Sequence, residues 1–146
     1  MIPSNMPVIG GNDVTGEPIY VGRALHEGDC IPGKVVKTHN KCYVPWGGGE
    51  HGHHSYQVLT NPNNSELVWV VSGHGHVPTG ALIGGQQSDG TPLYIGRANY
   101  NGSLIVGKVH PDDHTLYISF GGEEISVSNY EVLTVRRIGT SHGYAY

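Results

Sequence analysis

Charge is scarce in this chain. Only 14% of its 146 residues are Asp, Glu, Lys or Arg, the formal balance is −4, and no basic run occurs. A protein that binds nucleic acid non-specifically needs a basic face, so that class is excluded. Apolar runs are short, and none approaches the ~20 residues of a membrane-spanning helix. The start, MIPSNMPVIGG, lacks the basic and apolar regions of a secretory signal. A cytoplasmic location is the default expectation, with extracellular release left open. Helical patterning is missing too: no segment of ten residues free of Gly and Pro carries apolar residues at a 3.6 period. There is no G-x-S-x-G elbow, no paired-cysteine motif and no recurring Ser/His/Asp set, so the expectation is a non-enzyme without cofactor.

Glycine, by contrast, is abundant, at 23 residues, with nine prolines. The glycines punctuate short apolar alternations, the pattern of many short strands joined by tight turns. The strongest signal is repetition. Residues 10–60 lie on residues 84–134 at a constant offset of 74 without a gap, and 21 of the 51 positions are identical. Each unit of roughly 70 residues is near the lower limit for folding alone, and two units are too few for a solenoid. One domain over 1–146 is expected, built of repeats at about 8–72 and 76–136 that share one core.

The second copy acts as an internal control on the first. Strands are expected at 18–24 and 92–98, 31–36 and 105–110, 41–46 and 115–120, and 55–60 and 129–136. Cys42, Val44 and Trp46 return as Leu116, Ile118 and Phe120, so this alternating face is core, and Tyr43 and Tyr117 point the other way. Gly47-Gly48 and Gly121-Gly122 suit tight turns. Gly22 and Gly96, inside strands, mark a bulge or a close backbone approach. A further strand at Leu67–Val71 has no counterpart before Gly10, which suggests that strands are exchanged between the units. The tail, RRIGTSHGYAY, is expected to pack loosely. Cys30 and Cys42 stand where the other unit has Leu104 and Leu116, as core-packing thiols or, in an oxidising compartment, as a bridge.

Few polar residues survive in both copies. Arg23 with Glu50, and Arg97 with Glu124, most simply form an ion pair within each unit. Lys34 and Lys108 follow a glycine in strand patterns, where lysine is a poor fit, and are expected to reach something. The stretch GDCIPGKV is not a phosphate loop, because Val rather than Ser or Thr follows the lysine and no helix does. His51, His53 and His54, with His74 and His76 further on, invite a metal. Their counterparts from Ile125 to Ser128 contain no histidine, so exposed loop residues and no metal are the expectation. Asp13 with Glu17, and Glu27 with Asp29, are not kept as pairs and read as solvated turn carboxylates. A polyol suits the surviving set: carboxylates accept from hydroxyls, ammonium groups donate to them, and aromatic rings cover C–H faces.

The strings PIYVGRALHEGDCIPGK, YVPWGGGEH and YQVL, their copies PLYIGRANYNGSLIVGK, YISFGGEE and YEVL, and the link LVWVVSGHGHVPTGALIGG resemble the DM-nine repeat family. The resemblance runs from about Val8 to Leu133. It implies an all-β fold of two intertwined tandem repeats of short antiparallel strands around one core with pseudo-twofold symmetry, often as a homodimer. Characterised members include invertebrate mannose-binding lectins of innate pattern recognition, in which an Asp before the Y-x-G-R-A strand and the Lys of P-G-K hold mannose. Those positions here are Asp13 and Lys34. Their counterparts are Gln87 and Lys108, with Asp89 nearby, so the first site is expected to bind more tightly. Arg23, Glu50, Arg97 and Glu124 take a supporting or purely structural part. The implied partners are mannose-containing glycans on microbial surfaces. A different class of function is a cytosolic or vesicle-associated interaction module, in which Lys34 and Lys108 pair with Glu50 or Glu124 and serve only the fold.

Overall fold

The computed structural model describes residues 6–137 and 145–146. Thirteen strands run in chain order: β1 (Ile9–Asn12), β2 (Pro18–His26), β3 (Asp29–Val36), β4 (Lys41–Trp46), β5 (Gly49–His53), β6 (Gln57–Val58), β7 (Glu66–Gly73), β8 (Ile83–Gln86), β9 (Pro92–Tyr100), β10 (Ser103–His110), β11 (Thr115–Phe120), β12 (Glu123–Val127) and β13 (Asn129–Arg137). Single turns of 3₁₀ helix at Lys37–His39 and Pro111–Asp113 are the only helical elements among the described residues. No helix there is long and apolar enough to cross a membrane.

The repeats are intertwined, and all strand pairs are antiparallel. Strands β1, β2, β3, β4, β5, β12, β11 and β10 pair in that cyclic order and close into an eight-stranded barrel, with five strands outside it. The exchange is reciprocal. Asn12 of β1 pairs with Leu104 of the second repeat, and Gln86 of β8 pairs with Cys30 of the first, the same register displaced by 74. Glycine makes this approach possible: a Cβ on Gly11 would stand 1.9 Å from the Leu104 carbonyl oxygen, and one on Gly85 2.0 Å from that of Cys30. Gly22 and Gly96 are likewise places of close approach, against Val35 and Val109. At the pseudo-twofold axis β5 meets β12 through Gly49 and Glu123.

The buried apolar residues follow the same plan. Ile19, Val21, Leu59, Leu82, Ile95, Val106 and Leu133, drawn from both repeats, form a shared central cluster. Each repeat adds its own: Ile31, Val35, Cys42 and Val44 in the first, Ile105, Val109, Leu116 and Ile118 in the second. The 42/44 and 116/118 faces are therefore core, and the Cys30 and Cys42 thiols are free.

Several expectations need correction. The strand foreseen at 55–60 shrinks to Gln57–Val58, because this part of the first repeat pairs only briefly with β2 at the edge of the sheet. The Leu67–Val71 strand does join its neighbour, lying along β13 of the second repeat. The end of the chain fills the matching place in the first repeat. Ala145 bridges Thr60 as Val68 pairs with Thr134, and the Thr60 hydroxyl donates to the Ala145 carbonyl at 3.0 Å as Thr134 donates to that of Val68 at 2.8 Å. Tyr146 packs on the central cluster, as Trp69 does. The last two residues are thus held, while 138–144 of the tail lie outside the described residues.

Histidines 51 and 53 are not loop residues. They belong to β5, half-buried, with the His51 ring stacked on His26 at 4.1 Å and His53 Nε2 3.0 Å from His26 Nδ1. Burial and mutual repulsion hold the His26 and His53 pKa values below the ordinary one. His54 is exposed, as are His74 and His76. His74 and His76 sit in the turn after β7, packed near Ser128 and Tyr130. Among the described residues no three His, Cys, Asp or Glu side chains converge as metal ligands. Asp29 is not a solvated turn carboxylate either: it is 9% exposed and accepts the Ser88 N–H of the other repeat at 2.8 Å.

Candidate functional site

Asp13 and Lys34 line one cleft of about 210 Å³ between the repeats. The first repeat supplies Asp13 from the turn after β1, Lys34 and Val36 from β3, Tyr43 from β4 and Glu50 from β5. The second adds Ser103, Ile105 and Phe120. Strand alternation explains the assembly: with Val35 on the opposite face, Lys34 and a buried Val36 face the cleft, and Tyr43 points away from Cys42 and Val44 toward the same side.

Lysine 34 is anchored but not exhausted. Its ammonium lies 3.0 Å from Glu50 Oε2 and donates to the Ser119 carbonyl at 2.7 Å. An ammonium has three N–H donors, so one remains for the cleft. The rings of Tyr43 and Phe120 flank it, each with its centroid 5.7 Å away. Burial opposes ionisation of Glu50, but the Lys34 ammonium and the Gly122 N–H outweigh it and hold the carboxyl below the usual range. Asp13 is organised differently. One oxygen, Oδ1, accepts the Thr15 hydroxyl at 2.7 Å and the N–H groups of Thr15 and Glu17 at 2.9 and 3.0 Å. These bonds, the Thr15 hydroxyl foremost, lower its pKa and leave Oδ2 as the acceptor for the cleft.

The ion pairs differ from the sequence reading. Glu50 pairs with Lys34, not Arg23, and Glu124 pairs with Lys108, not Arg97. Arg23 Nε instead donates to Gln57 Oε1 at 2.8 Å, and Arg97 Nε to Glu131 Oε1 at 2.8 Å. Each guanidinium lies over an aromatic ring, Arg23 on Tyr146 at 3.9 Å and Arg97 on Trp69 at 4.1 Å. Each also reaches a carbonyl of the exchanged strand, Gly84 or Gly10, at 3.5 and 3.0 Å. The arginines therefore fasten the outer strands to the barrel.

The second copy of the cleft has the same frame and different chemistry. Lys108 Nζ lies 3.4 Å from Glu124 Oε2, and burial lowers its pKa although Glu124, Asp29 and Asp113 work the other way. His110 stands in place of Val36. Its Nε2 accepts from the Gln87 amide at 2.8 Å, and its Nδ1 faces Asp113 Oδ2 at 3.7 Å. Tyr117 donates to the same Asp113 oxygen at 2.8 Å, and burial together with that carboxylate pushes its pKa up to about 12. Asp89 Oδ1 accepts the Thr91 N–H within its turn, as Asp13 Oδ1 accepts that of Thr15. Sequence comparison located Gln87 and Lys108 but missed His110, Asp29 and Ser103. The exchange of Val36 for His110, one polar substitution at a matched position, was the available signal.

The architecture defines a class: an all-β protein of two intertwined repeats, with a small polar cleft of the first walled by the second. The match to the DM9 repeat model extends over residues 13–127, and the chain belongs to the DM9 repeat family. It is 29% identical over 136 residues to Natterin-4 of Thalassophryne nattereri, covering 92% of this chain and 32% of that protein. It is 32% identical over 101 residues to Natterin-3 of the same species, covering 68% of this chain and 25% of that protein. The chain thus spans about a third or less of these relatives. In fold it is similar to the nematode sperm cell motility protein MFP2B, with a TM-score of 0.69 and 17% identity over 91% of this chain and 42% of the other.

Proposed function

We propose that the protein is a non-catalytic lectin that binds mannose-type glycans, as in recognition of microbial surfaces, with the Asp13–Lys34 cleft as its principal site. The observation that carries this reading is the state of the two side chains. Each is fixed by bonds to the fold, and each retains polar capacity toward one sugar-sized cleft. A carboxylate acceptor and an ammonium donor suit two neighbouring hydroxyls, and the Tyr43 and Phe120 rings suit the C–H face of a pyranose. Fixing the donors beforehand limits the ordering cost that weakens monosaccharide binding.

The second cleft is the weaker site in this reading. Gln87 brings no charge, and it is already bonded to His110. Calorimetry with mannose, backed by a glycan array, tests the proposal. Saturable binding is expected, with loss in Asp13→Ala and Lys34→Ala. Unchanged affinity in both variants overturns the site, and no binding to any mannose-containing glycan overturns the function.

A further inference from the structure

A second pair of matched grooves lies on the outer face of the molecule. The first, about 390 Å³, is lined by Arg23, Leu25, Cys30, His53, Tyr56 and Gln57 among others. The other, about 380 Å³, is lined by Arg97, Asn99, Leu104, Tyr130 and Glu131 with their neighbours. Arg23, Leu25, Cys30, Tyr56 and Gln57 become Arg97, Asn99, Leu104, Tyr130 and Glu131 at the offset of 74, so these are the same groove in two copies. The arginine and the tyrosine are kept; what differs is the charge beside the arginine.

In the second copy Arg97 is neutralised by Glu131 at 2.8 Å. In the first, the same Nε meets the neutral Gln57 at the same 2.8 Å. Geometry is preserved while the counter-charge is removed. Among the described residues no acidic side chain lines the first groove and none pairs with Arg23, in a chain whose formal balance is −4. His53, where the other repeat has Val127, adds a second polar ring to the wall. Stacking of the guanidinium on Tyr146 and its bond to Gly84 fix the plane of the cation, which reduces the ordering cost of using it. Leu25, 73% exposed, supplies an apolar edge on the same groove.

We infer that the Arg23 groove of the first repeat is a binding site for a small oxyanion, a carboxylate or a phosphate or sulfate group, that the Arg97 groove has lost through its built-in Glu131. A guanidinium donating to an oxyanion makes a charge-assisted bond, and a carboxylate held beside it neutralises that charge in advance, which the Gln57 amide does not.

The test uses the isotope-labelled whole chain and follows the Nε–H signals of Arg23 and Arg97 by NMR during titration with inorganic phosphate, sulfate and acetate. The Arg23 signal, assigned through Arg23→Lys, is expected to shift and saturate while Arg97 stays still. Saturation by acetate alone identifies a carboxylate site, and saturation by phosphate or sulfate a wider oxyanion site. Gln57→Glu is expected to weaken the response at least tenfold, and Glu131→Gln to give Arg97 a saturable response of its own. If neither arginine saturates with any of the three anions, or both respond alike in the unaltered chain, the inference is wrong. Neither outcome depends on whether the protein binds mannose.

Discussion

Glu50 and Glu124 reach across the pseudo-twofold axis in opposite directions, each accepting at 3.0 Å the turn N–H of the repeat to which it does not belong. Glu50 takes that of Gly122 and Glu124 that of Gly48. The other oxygen of each holds the lysine of its own repeat. One carboxylate therefore fixes both the cleft cation and the junction of β5 with β12, which ties the binding geometry of each repeat to the pairing of both.

Removing Glu50 is expected to cost stability before it costs binding. Glu50→Ala leaves the Lys34 ammonium, 12% exposed in its side chain, without a carboxylate and frees the Gly122 N–H. Breaking a fully buried pair costs about 3–5 kcal/mol, and this partly wet one is expected to cost about 2 kcal/mol. Urea unfolding measures it. The pH dependence has a definite sign. The folded pKa of Glu50 lies below its unfolded value, so its contribution is complete above the ordinary carboxylate range and is lost as pH falls through the folded pKa. Unfolding midpoints of the unaltered chain and the variant are expected to converge on acidification.

Asp13→Asn separates the two duties of that residue. The Asn carbonyl oxygen accepts the same three bonds from Thr15 and Glu17, so the turn is retained. The charge presented to the cleft is lost. A charge-assisted bond exceeds a neutral one by about 1 kcal/mol, so mannose affinity is expected to fall roughly fivefold with the thermal midpoint nearly unchanged. Calorimetry and a melting curve on one preparation read both.

Much of this was legible in the sequence because duplication supplied its own comparison. Strands β2, β3 and β4 with their copies β9, β10 and β11, the core face at Cys42 and Val44, and an exchange of strands followed from strand periodicity and from Leu67–Val71 lacking a counterpart, whereas β1, β5, β8 and β12 did not. What stayed hidden depends on contacts between repeats. Glu50 was assigned to Arg23 because both are retained, yet register places Glu50 opposite Pro45 at the axis, while Arg23, near Gln57, faces the outer groove. Asp29 looks like a turn residue until the exchanged strand brings Ser88 onto it. Tyr146 carries no periodicity, and its place is set by an edge it did not itself predict.

The second cleft is expected to be closed by a histidine latch. His110 Nε2 occupies the Gln87 amide donor at 2.8 Å, while its Nδ1, 3.7 Å from Asp113 Oδ2, has no hydrogen-bond partner among the described residues; Val36 can make no such bond to Asp13 in the first. Calorimetry on the unaltered chain is expected to give one mannose per chain. The double variant His110→Val with Gln87→Asp, which rebuilds the first cleft in the second repeat, is expected to give two. Two equivalent sites in the unaltered chain would remove the latch from the account.

The last prediction concerns Tyr146, whose ring and hydroxyl pull in opposite directions. The ring packs on the central cluster and carries Arg23 on its face, in the place that Trp69 and Arg97 hold in the other repeat. The hydroxyl is buried without a hydrogen-bond partner among the described residues, and burial raises its pKa well above the ordinary phenol value. An unpaired buried hydroxyl costs about 1–3 kcal/mol relative to one in water. Tyr146→Phe keeps the packing and the cation–π stack while deleting that cost, so it is expected to leave stability unchanged or raise it by up to ~1 kcal/mol. Tyr146→Ala removes the ring and is expected to lose about 3 kcal/mol, the lower end for a large aromatic because the residue is only partly buried. Denaturant unfolding of the two variants distinguishes a Tyr146 that completes the core of the first repeat from one that merely rests on it. In the second case both variants would match the unaltered chain.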